Sequence, residues 1–337
     1  MSAQPTSPDR RTLTVASGSY DAFSPLREGV VQPRGLALDW TIEEDPPELF
    51  SRIVEHRDID VAEMSLSQYV RLRSVDALPY VAVPIFPLRM FRHAYVTVRA
   101  DLDVRSPAEI EGLRVGVPDY WQTAAVWTRG MLAESAGVDW SRCRWVQAGM
   151  DAPRARDILS DAASTALATL RANVPLETVA DRSLDELLSS GDLDVTIGAR
   201  LPVQSLAAGR ARRLFTDPRG EEVAFYQRTG VFPIMHTMVV REELVREIPT
   251  LPVDLTEAFS ASVEQRWQRL LFSGSNSSML PWGHDEALSA QQLFGGSPWP
   301  QGLQANARTL ERFLGYLEAD GLRPRPPLSS LFADGSG

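Results

Sequence analysis

Apolar positions along this chain follow two periods in turn. Leu13 to Ala16 is a short β-rich run, Gly18-Ser19-Tyr20-Asp21 follows as a loop, and Leu36, Leu38, Trp40 and Ile42 fall on one face at period two. That spacing predicts a second strand over 36–42. Pro46-Pro47-Glu48 then opens a helix that gathers Leu49, Phe50, Ile53 and Val54 on one side. The run Ile59-Asp60-Val61-Ala62-Glu63-Met64 reads as a strand emptying into the polar loop Ser65-Leu66-Ser67. Strand, turn and amphipathic helix in alternation predict βαβ construction, hence an α/β fold.

A second unit begins near residue 99. Ser106-Pro107-Ala108-Glu109 carries an N-cap Ser, a Pro at the first helical position and a Glu three residues after the cap, predicting a short helix that Gly112 ends. Leu113 to Val117 reads as the next strand, and Pro118-Asp119-Tyr120 leads into a helix from about Gln122 to Ala136, stopped at Gly137. The start of that helix presents free backbone N–H groups, which favour an anion. Residues 150–176 predict an exposed helix followed by a loop, and Ser183 to Ser190 a capped helix ending at Gly191. The strand Asp194 to Arg200 then empties into a loop. The pattern of helix, Gly-Asp or Arg-Asp, an Asp-Val strand and a polar loop occurs at 57–67 and again at 191–200, which predicts two lobes built alike. A strand is expected from His236 to Val240, followed by helices through Phe272 and from Asn306 to Ala319 that pack back on the first lobe. Ser273 to Ser278 is a candidate mobile loop.

The length of 337 residues suits two domains of ordinary size. Charge is more informative. Lys plus Arg total 34 against 44 Asp plus Glu, a net −10, and every one of the 34 is Arg. Without a lysine the chain has no amine for a Schiff base, an internal pyridoxal-phosphate aldimine or a Walker-type phosphate loop. The single Cys143 rules out an internal disulfide, a Cys-rich zinc site and a protein-ligated iron–sulfur cluster. The acidic balance argues against a nucleic-acid partner, and Arg210, Arg212 and Arg213, the compact basic cluster, read as a solvated end. The polar N-terminus, with Pro5 and Pro8, shows no export signal, and no apolar run approaches 18 residues. A cytoplasmic location without membrane association is therefore expected.

The phrase from Arg105 to Pro118, RSPAEIEGLRVGVP, resembles second-lobe openings of the type II periplasmic-binding-protein superfamily. Three further stretches narrow the likeness: Asp60 to Tyr69 (DVAEMSLSQY), Pro84 to His93 (PIFPLRMFRH) and Thr229 to Thr237 (TGVFPIMHT). With Gln122 to Gly130 and Leu280 to Asp285, they resemble the 4,5-dihydroxyphthalate decarboxylase family over roughly residues 13–322. The resemblance implies a two-lobed fold of mixed sheets flanked by helices, with the cleft at a two-strand hinge. Lobe 1 is then 12–95 plus 236–322, lobe 2 is 96–235, and 1–11 and 323–337 are flexible tails. It also implies a cofactor-independent decarboxylase of a hydroxylated aromatic carboxylate and, as an expectation of likeness only, a homo-oligomer.

Losing CO2 from an electron-rich arene requires a proton at the carboxyl-bearing carbon. A para hydroxyl supplies the electrons, so the protein must provide a general acid, a carboxylate clamp and a partner for the phenol. Histidine is the natural acid. His236 and His93 lie where the chain crosses between lobes, His284 sits in a loop beside Asp285, and His56 is expected on a solvated helix face. Glu63, just before a polar loop, is either a second acid/base group or a strand-end charge. The planar Arg fork matches a carboxylate, which selects Arg89, Arg92 and Arg200, at the crossing and at a strand's C-terminal end. Tyr20, Asp21, Ser65, Ser67, Gln122 and Thr123 are substrate-binding candidates by the same placement; for the serines the competing role is turn capping. Trp121, Trp127 and Trp282 are expected in the core. A metal would require His93, His236, Glu63 and Asp285 to converge, and without HxH or HExxH spacing none is expected. Two alternatives stay open: a solute-binding protein for a small aromatic carboxylate, and another lyase on this fold, chorismate-dehydratase-like. A pyrimidine-synthase-like protein, wanting a lysine-anchored cofactor, is disfavoured.

Overall fold

In the computed structural model, residues 10–153, 165, 167, 170 and 172–333 are described. The strands, in chain order, are β1 (Arg11–Ser17), β2 (Leu36–Ile42), β3 (Val61–Ser65), β4 (Tyr80–Val83), β5 (Thr97–Arg99), β6 (Arg114–Val117), β7 (Arg144–Gln147), β8 (Leu176–Thr178), β9 (Val195–Thr196), β10 (Ala211–Arg213) and β11 (His236–Arg241). Among the described residues they form two sheets, ordered β2-β1-β3-β11-β4 and β10-β5-β9-β6-β7-β8. Most neighbours are parallel, as crossover helices require, but β11 runs antiparallel to both β3 and β4, and β5 antiparallel to β9 and β10. These two exceptions are the strands on which the chain arrives from the other sheet.

Alternation along the strands divides the core. Leu13 and Val15 face one side of the first sheet with Phe23, Leu255 and Phe259, while Ala16, Ala62 and Met64 face the other with Leu49 and Ile53. Phe259, on the Leu251–Leu271 helix, meets Phe23 edge-on at 4.7 Å and is fully buried. Burying a side chain of this size contributes about 1.5–3 kcal/mol. The Pro46–Glu55 helix buries Leu49, Phe50, Ile53 and Val54, the stripe its periodicity predicts. Along β2, an edge strand, Leu36 is buried but Ile42, on the same face by its spacing, is exposed at the strand's far end.

The Leu303–Ala319 helix does not stay with the first sheet. Phe313 stacks on Trp127 of the Thr123–Ala136 helix at 5.3 Å, and Arg129 reaches Asp320 with contacts of 2.5 and 3.1 Å. Gly130 makes that approach possible, since a Cβ there would sit 2.2 Å from the Tyr316 ring. The segment 106–110 is a single 3-10 turn rather than an α-helix, and Ser106 makes no side-chain cap. The strand expected over 194–200 is only Val195–Thr196, because Gly198 breaks the extended backbone at φ 154°. The helix expected within 150–176 lies largely outside the described residues, as do 1–9 and 334–337 of the expected tails. The described end of the second tail is packed: Leu331 and Phe332 are buried, Phe332 bridges Ala82, and the Ala333 N–H donates to the Ala82 carbonyl.

No helix among the described residues is long and apolar enough to cross a membrane.

Candidate active site

Two segments carry the chain between the sheets, 84–96 outward and 230–235 on return. They pair with each other. Arg89 and Ile234 form an antiparallel bridge, the Met90 N–H donates to Pro233 O at 3.0 Å and the Met235 N–H to Leu88 O at 2.8 Å. Beside this hinge lies a cavity of about 470 Å3. Its walls come from strand ends of both sheets: Ser65 and His236 from the first, Pro118, Ala199 and Arg200 from the second. Open α/β sheets bind ligands at this place because the strand C-termini and helix N-termini converge there.

His236 begins β11 directly across from Ser65 on β3. Its Nδ1 lies 2.5 Å from Oε1 of Glu63, which is 1% exposed. The Tyr20 hydroxyl donates to the same oxygen at 2.6 Å, and the Gly18 N–H donates to Oε2 at 2.9 Å. Three donors on one carboxylate use Glu63 as an acceptor only, which assigns the His236 Nδ1 a proton and leaves Nε2 for the cleft. Burial, reinforced by the Glu63 charge, pushes the Tyr20 phenol well above its usual pKa, so it remains an O–H donor. The Phe50 ring stands edge-on to the imidazole at 5.2 Å and 86°, fixing its plane.

The same cavity holds two cations. Arg92 is buried, with its guanidinium 4.9 Å from the Tyr95 ring centroid and its Nη1 donating to Ala199 O at 3.4 Å. Burial lowers its pKa to about 10, which keeps it charged at neutral pH. Arg200 is exposed and pairs with Asp151 at 3.4 Å. Thr123 and Ala124 open the Thr123–Ala136 helix on the cavity wall, where first-turn N–H groups have no intrahelical partner. The Thr123 hydroxyl is 2.9 Å from the Ser65 hydroxyl and accepts the Ser67 N–H, joining the first turns of two helices. Gln122 Oε1 accepts the Ala199 N–H at 3.0 Å, a contact that needs glycine at 198, where a Cβ would meet Pro118 at 2.9 Å.

His236, Arg92, Arg200, Ser65, Gln122 and Thr123 thus share one cavity, with Glu63 and Tyr20 behind His236. Ser65 also caps its helix, its hydroxyl accepting from the Gln68 N–H. Other candidates lie elsewhere. Arg89 points to the opposite side of its β-bridge, where its guanidinium donates to Pro300 O and the Asn306 side chain. His93 is enclosed between Phe215 and Phe225 at 5.5 and 5.7 Å, and burial lowers its pKa to about 4, so it stays neutral. Asp21 pairs with Arg266 on the surface, Ser67 is buried beneath the helix start, and His284 turns Nδ1 toward Leu270 O at 3.3 Å. Trp121 and Trp127 are buried, but Trp282 is 72% exposed. His93 and Asp285 do not join His236 and Glu63, and no group of three metal-ligating side chains occurs among the described residues.

Sequence reasoning missed Asp45, Phe50, Met90, Tyr95, Asp151 and Met235 on the cavity wall. Asp45 carried a legible signal, since it follows β2 and precedes Pro46-Pro47 at a helix start. Phe50 was counted only as core.

No protein-family model matches the chain. A 4,5-dihydroxyphthalate decarboxylase of Comamonas testosteroni is 37% identical over 315 residues, 93% of this chain and 93% of that protein. One of Pseudomonas putida is 34% identical over 230 residues, 67% of this chain and 86% of that protein. Among solved structures, the periplasmic sulfonate-binding protein SsuA of Methylobacillus flagellatus KT superposes with a TM-score of 0.56 at 12% identity, covering 96% of this chain and 92% of that one. That last likeness bears on fold alone, and the fold is the two-lobed periplasmic-binding-protein fold.

Proposed function

The chain belongs to the 4,5-dihydroxyphthalate decarboxylase family, and from that membership we propose that its hinge cleft releases CO2 from a hydroxylated aromatic carboxylate by protonating the ring. The observation that carries the mechanism is His236, tied through Nδ1 to the buried Glu63 and facing the cavity that holds Arg92 and Arg200.

The departing carboxylate lies toward Arg92, Arg200 and the first turn of the Thr123–Ala136 helix. As an imidazolium, His236 transfers the Nε2 proton to the ring carbon bearing that carboxylate. In 4,5-dihydroxyphthalate each carboxylate has a hydroxyl para to it, whose oxygen delocalises the positive charge that protonation places on the ring. The carbon–carboxylate bond then breaks, its electron pair restores aromaticity, and CO2 departs. The arene keeps the proton, and neutral His236 takes another from solvent. Glu63 stabilises the imidazolium and Tyr20 holds Glu63 in place. Electrons come from the substrate's own hydroxyls, so the scheme asks for no cofactor.

The test is CO2 release from 4,5-dihydroxyphthalate and a panel of hydroxylated aromatic acids, with and without chelator. His236→Ala is expected to lower kcat at least about 100-fold, while affinity for unreactive phthalate changes little. Wild-type turnover in that variant removes His236 from the acid role. Tight binding of one acid without turnover of any supports the solute-binding alternative instead.

A further inference from the structure

Next to the hinge cavity is a second one of about 60 Å3, and the two share Pro47, Phe50, Ser65 and Gln122 in their walls. Arg71 and Gln68 face it from one side of the Leu66–Ser74 helix, three residues apart, at 6% and 8% exposure. One donor of each is unused. Arg71 Nε and Gln68 Nε2 are buried with no hydrogen-bond partner among the described residues. The Arg71 guanidinium lies over the Trp121 ring, 4.6 Å from its centroid. Asp119 is the carboxylate in the wall; its Oδ1 accepts the Trp121 N–H at 2.8 Å, and among the described residues it forms no ion pair with Arg71.

Burial lowers the Arg71 pKa to about 10, so the side chain is still a cation at neutral pH. Asp119 offsets part of that burial from a distance; a buried guanidinium whose Nε makes no hydrogen bond is still costly, and an incoming anion offsets that cost. A water needs about 10–15 Å3 of such space, so this pocket admits a carboxylate but not a ring. It opens next to the proposed reacting atom, since Ser65 lies directly across from His236 and Phe50 touches the imidazole.

We propose that this side pocket is a carboxylate subsite: an ortho-dicarboxylate seats its departing group in the main cavity and its retained group against Arg71 and Gln68. The assignment of which carboxylate departs rests on the decarboxylase reading; the subsite itself does not. Its consequence is selection for ortho-diacids over monoacids, because a monoacid leaves the Arg71 fork unpaired.

Phthalate and benzoate are suitable probes, since neither carries a para hydroxyl to drive turnover. Titration calorimetry on the full-length protein is expected to show phthalate bound at least about 10-fold more tightly than benzoate. Arg71→Met is expected to weaken phthalate about 10- to 100-fold and to leave benzoate within about threefold. Gln68→Glu, which sets a carboxylate against Arg71, is expected to remove the same preference. The melting temperature of Arg71→Met should stay close to the wild type, because the relieved burial of a charge offsets the lost Trp121 and Asp119 interactions. Equal wild-type affinity for the two acids overturns the subsite. So does a variant that loses stability and weakens both acids alike, which assigns Arg71 to the scaffold. A phthalate preference that vanishes with Arg71→Met in a protein that turns over no hydroxylated acid supports the subsite and refutes the decarboxylase reading.

Discussion

Replacing Glu63 by Gln isolates what the carboxylate does, because the amide keeps its shape and loses its charge. Glu63 accepts from Gly18 on Oε2 and from both Tyr20 and His236 on Oε1. A glutamine has one oxygen. If it faces Tyr20 and His236, its NH2 meets the Gly18 N–H; turned the other way, it opposes two donors. At least one buried donor is therefore left unpaired, at a cost of about 1–3 kcal/mol. In a chain of this size that lowers Tm by about 1–4 °C. The effect on turnover is larger. Without the carboxylate the imidazolium loses its charged partner and Nδ1 is no longer fixed as the protonated nitrogen, so kcat should fall about 100- to 10,000-fold. Because Glu63 does not line the cavity, phthalate affinity should stay within about threefold. Steady-state kinetics with 4,5-dihydroxyphthalate, phthalate calorimetry and thermal unfolding read the three quantities separately. A Gln variant with wild-type kcat refutes the role of Glu63 as the group that positions His236, and an unchanged Tm refutes the donor count.

Two further outcomes concern stability. His93 has its pKa lowered from 6.5 to about 4 by burial and by Arg228, so the unfolded chain binds its proton first. Stability is therefore full above pH 6.5 and declines as pH falls toward 4, by about 3 kcal/mol from this residue. His93→Leu should flatten the pH dependence of urea unfolding in that window; an unchanged slope contradicts the assignment. Asp320→Asn strands the Arg129 cation, which is 1% exposed and sits 3.8 Å from the Tyr120 ring centroid. Burial alone would lower the Arg129 pKa, but Asp320 and Tyr120 carry it above its ordinary value. The expected loss in urea unfolding is about 3–5 kcal/mol, and a loss below about 1 kcal/mol shows that the charge is relieved elsewhere.

Several elements were legible because they carry a local signal, whereas β4, β7, β8 and β10 were not, and the expected polar loop at 65–67 is the start of the Leu66–Ser74 helix. Period two along Leu36 to Trp40, the Pro46-Pro47 helix start and the Gly137 stop act within a few residues, and the observed boundaries follow them. Where local signals misled, a neighbour decided. Ser106-Pro107 has cap chemistry, yet the chain turns away after one 3-10 turn. Phe332 lies beyond a Pro-rich stretch and still packs, because Ala82 and Phe86 offer it an edge and a ring.

For the site, placement at strand ends selected the right region but not the direction of each side chain. Arg89 and Arg92 are three residues apart at the same crossing, and the sequence gives no reason to separate them. The pairing of 84–96 with 230–235 sends Arg92 to the cavity and Arg89 to the carbonyls before the Leu303–Ala319 helix. His93 and His236 were equivalent for the same reason, until packing put one between two phenylalanines and the other beside a buried glutamate.

The sequence alone determined the lysine-free chemistry and the placement of the strongly patterned elements, among them β1, β2, β3, β6 and the helices that follow β2 and β6, because composition and periodicity are properties of the chain itself. Only the tertiary structure decided that residues 18, 20, 63 and 236 meet on one carboxylate, since that contact needs β1, β3 and β11 side by side. It also decided that Arg71, in sequence an ordinary helix arginine, is buried with its Nε making no hydrogen bond among the described residues. Burial and charge pairing arise between distant segments, and no local pattern encodes them.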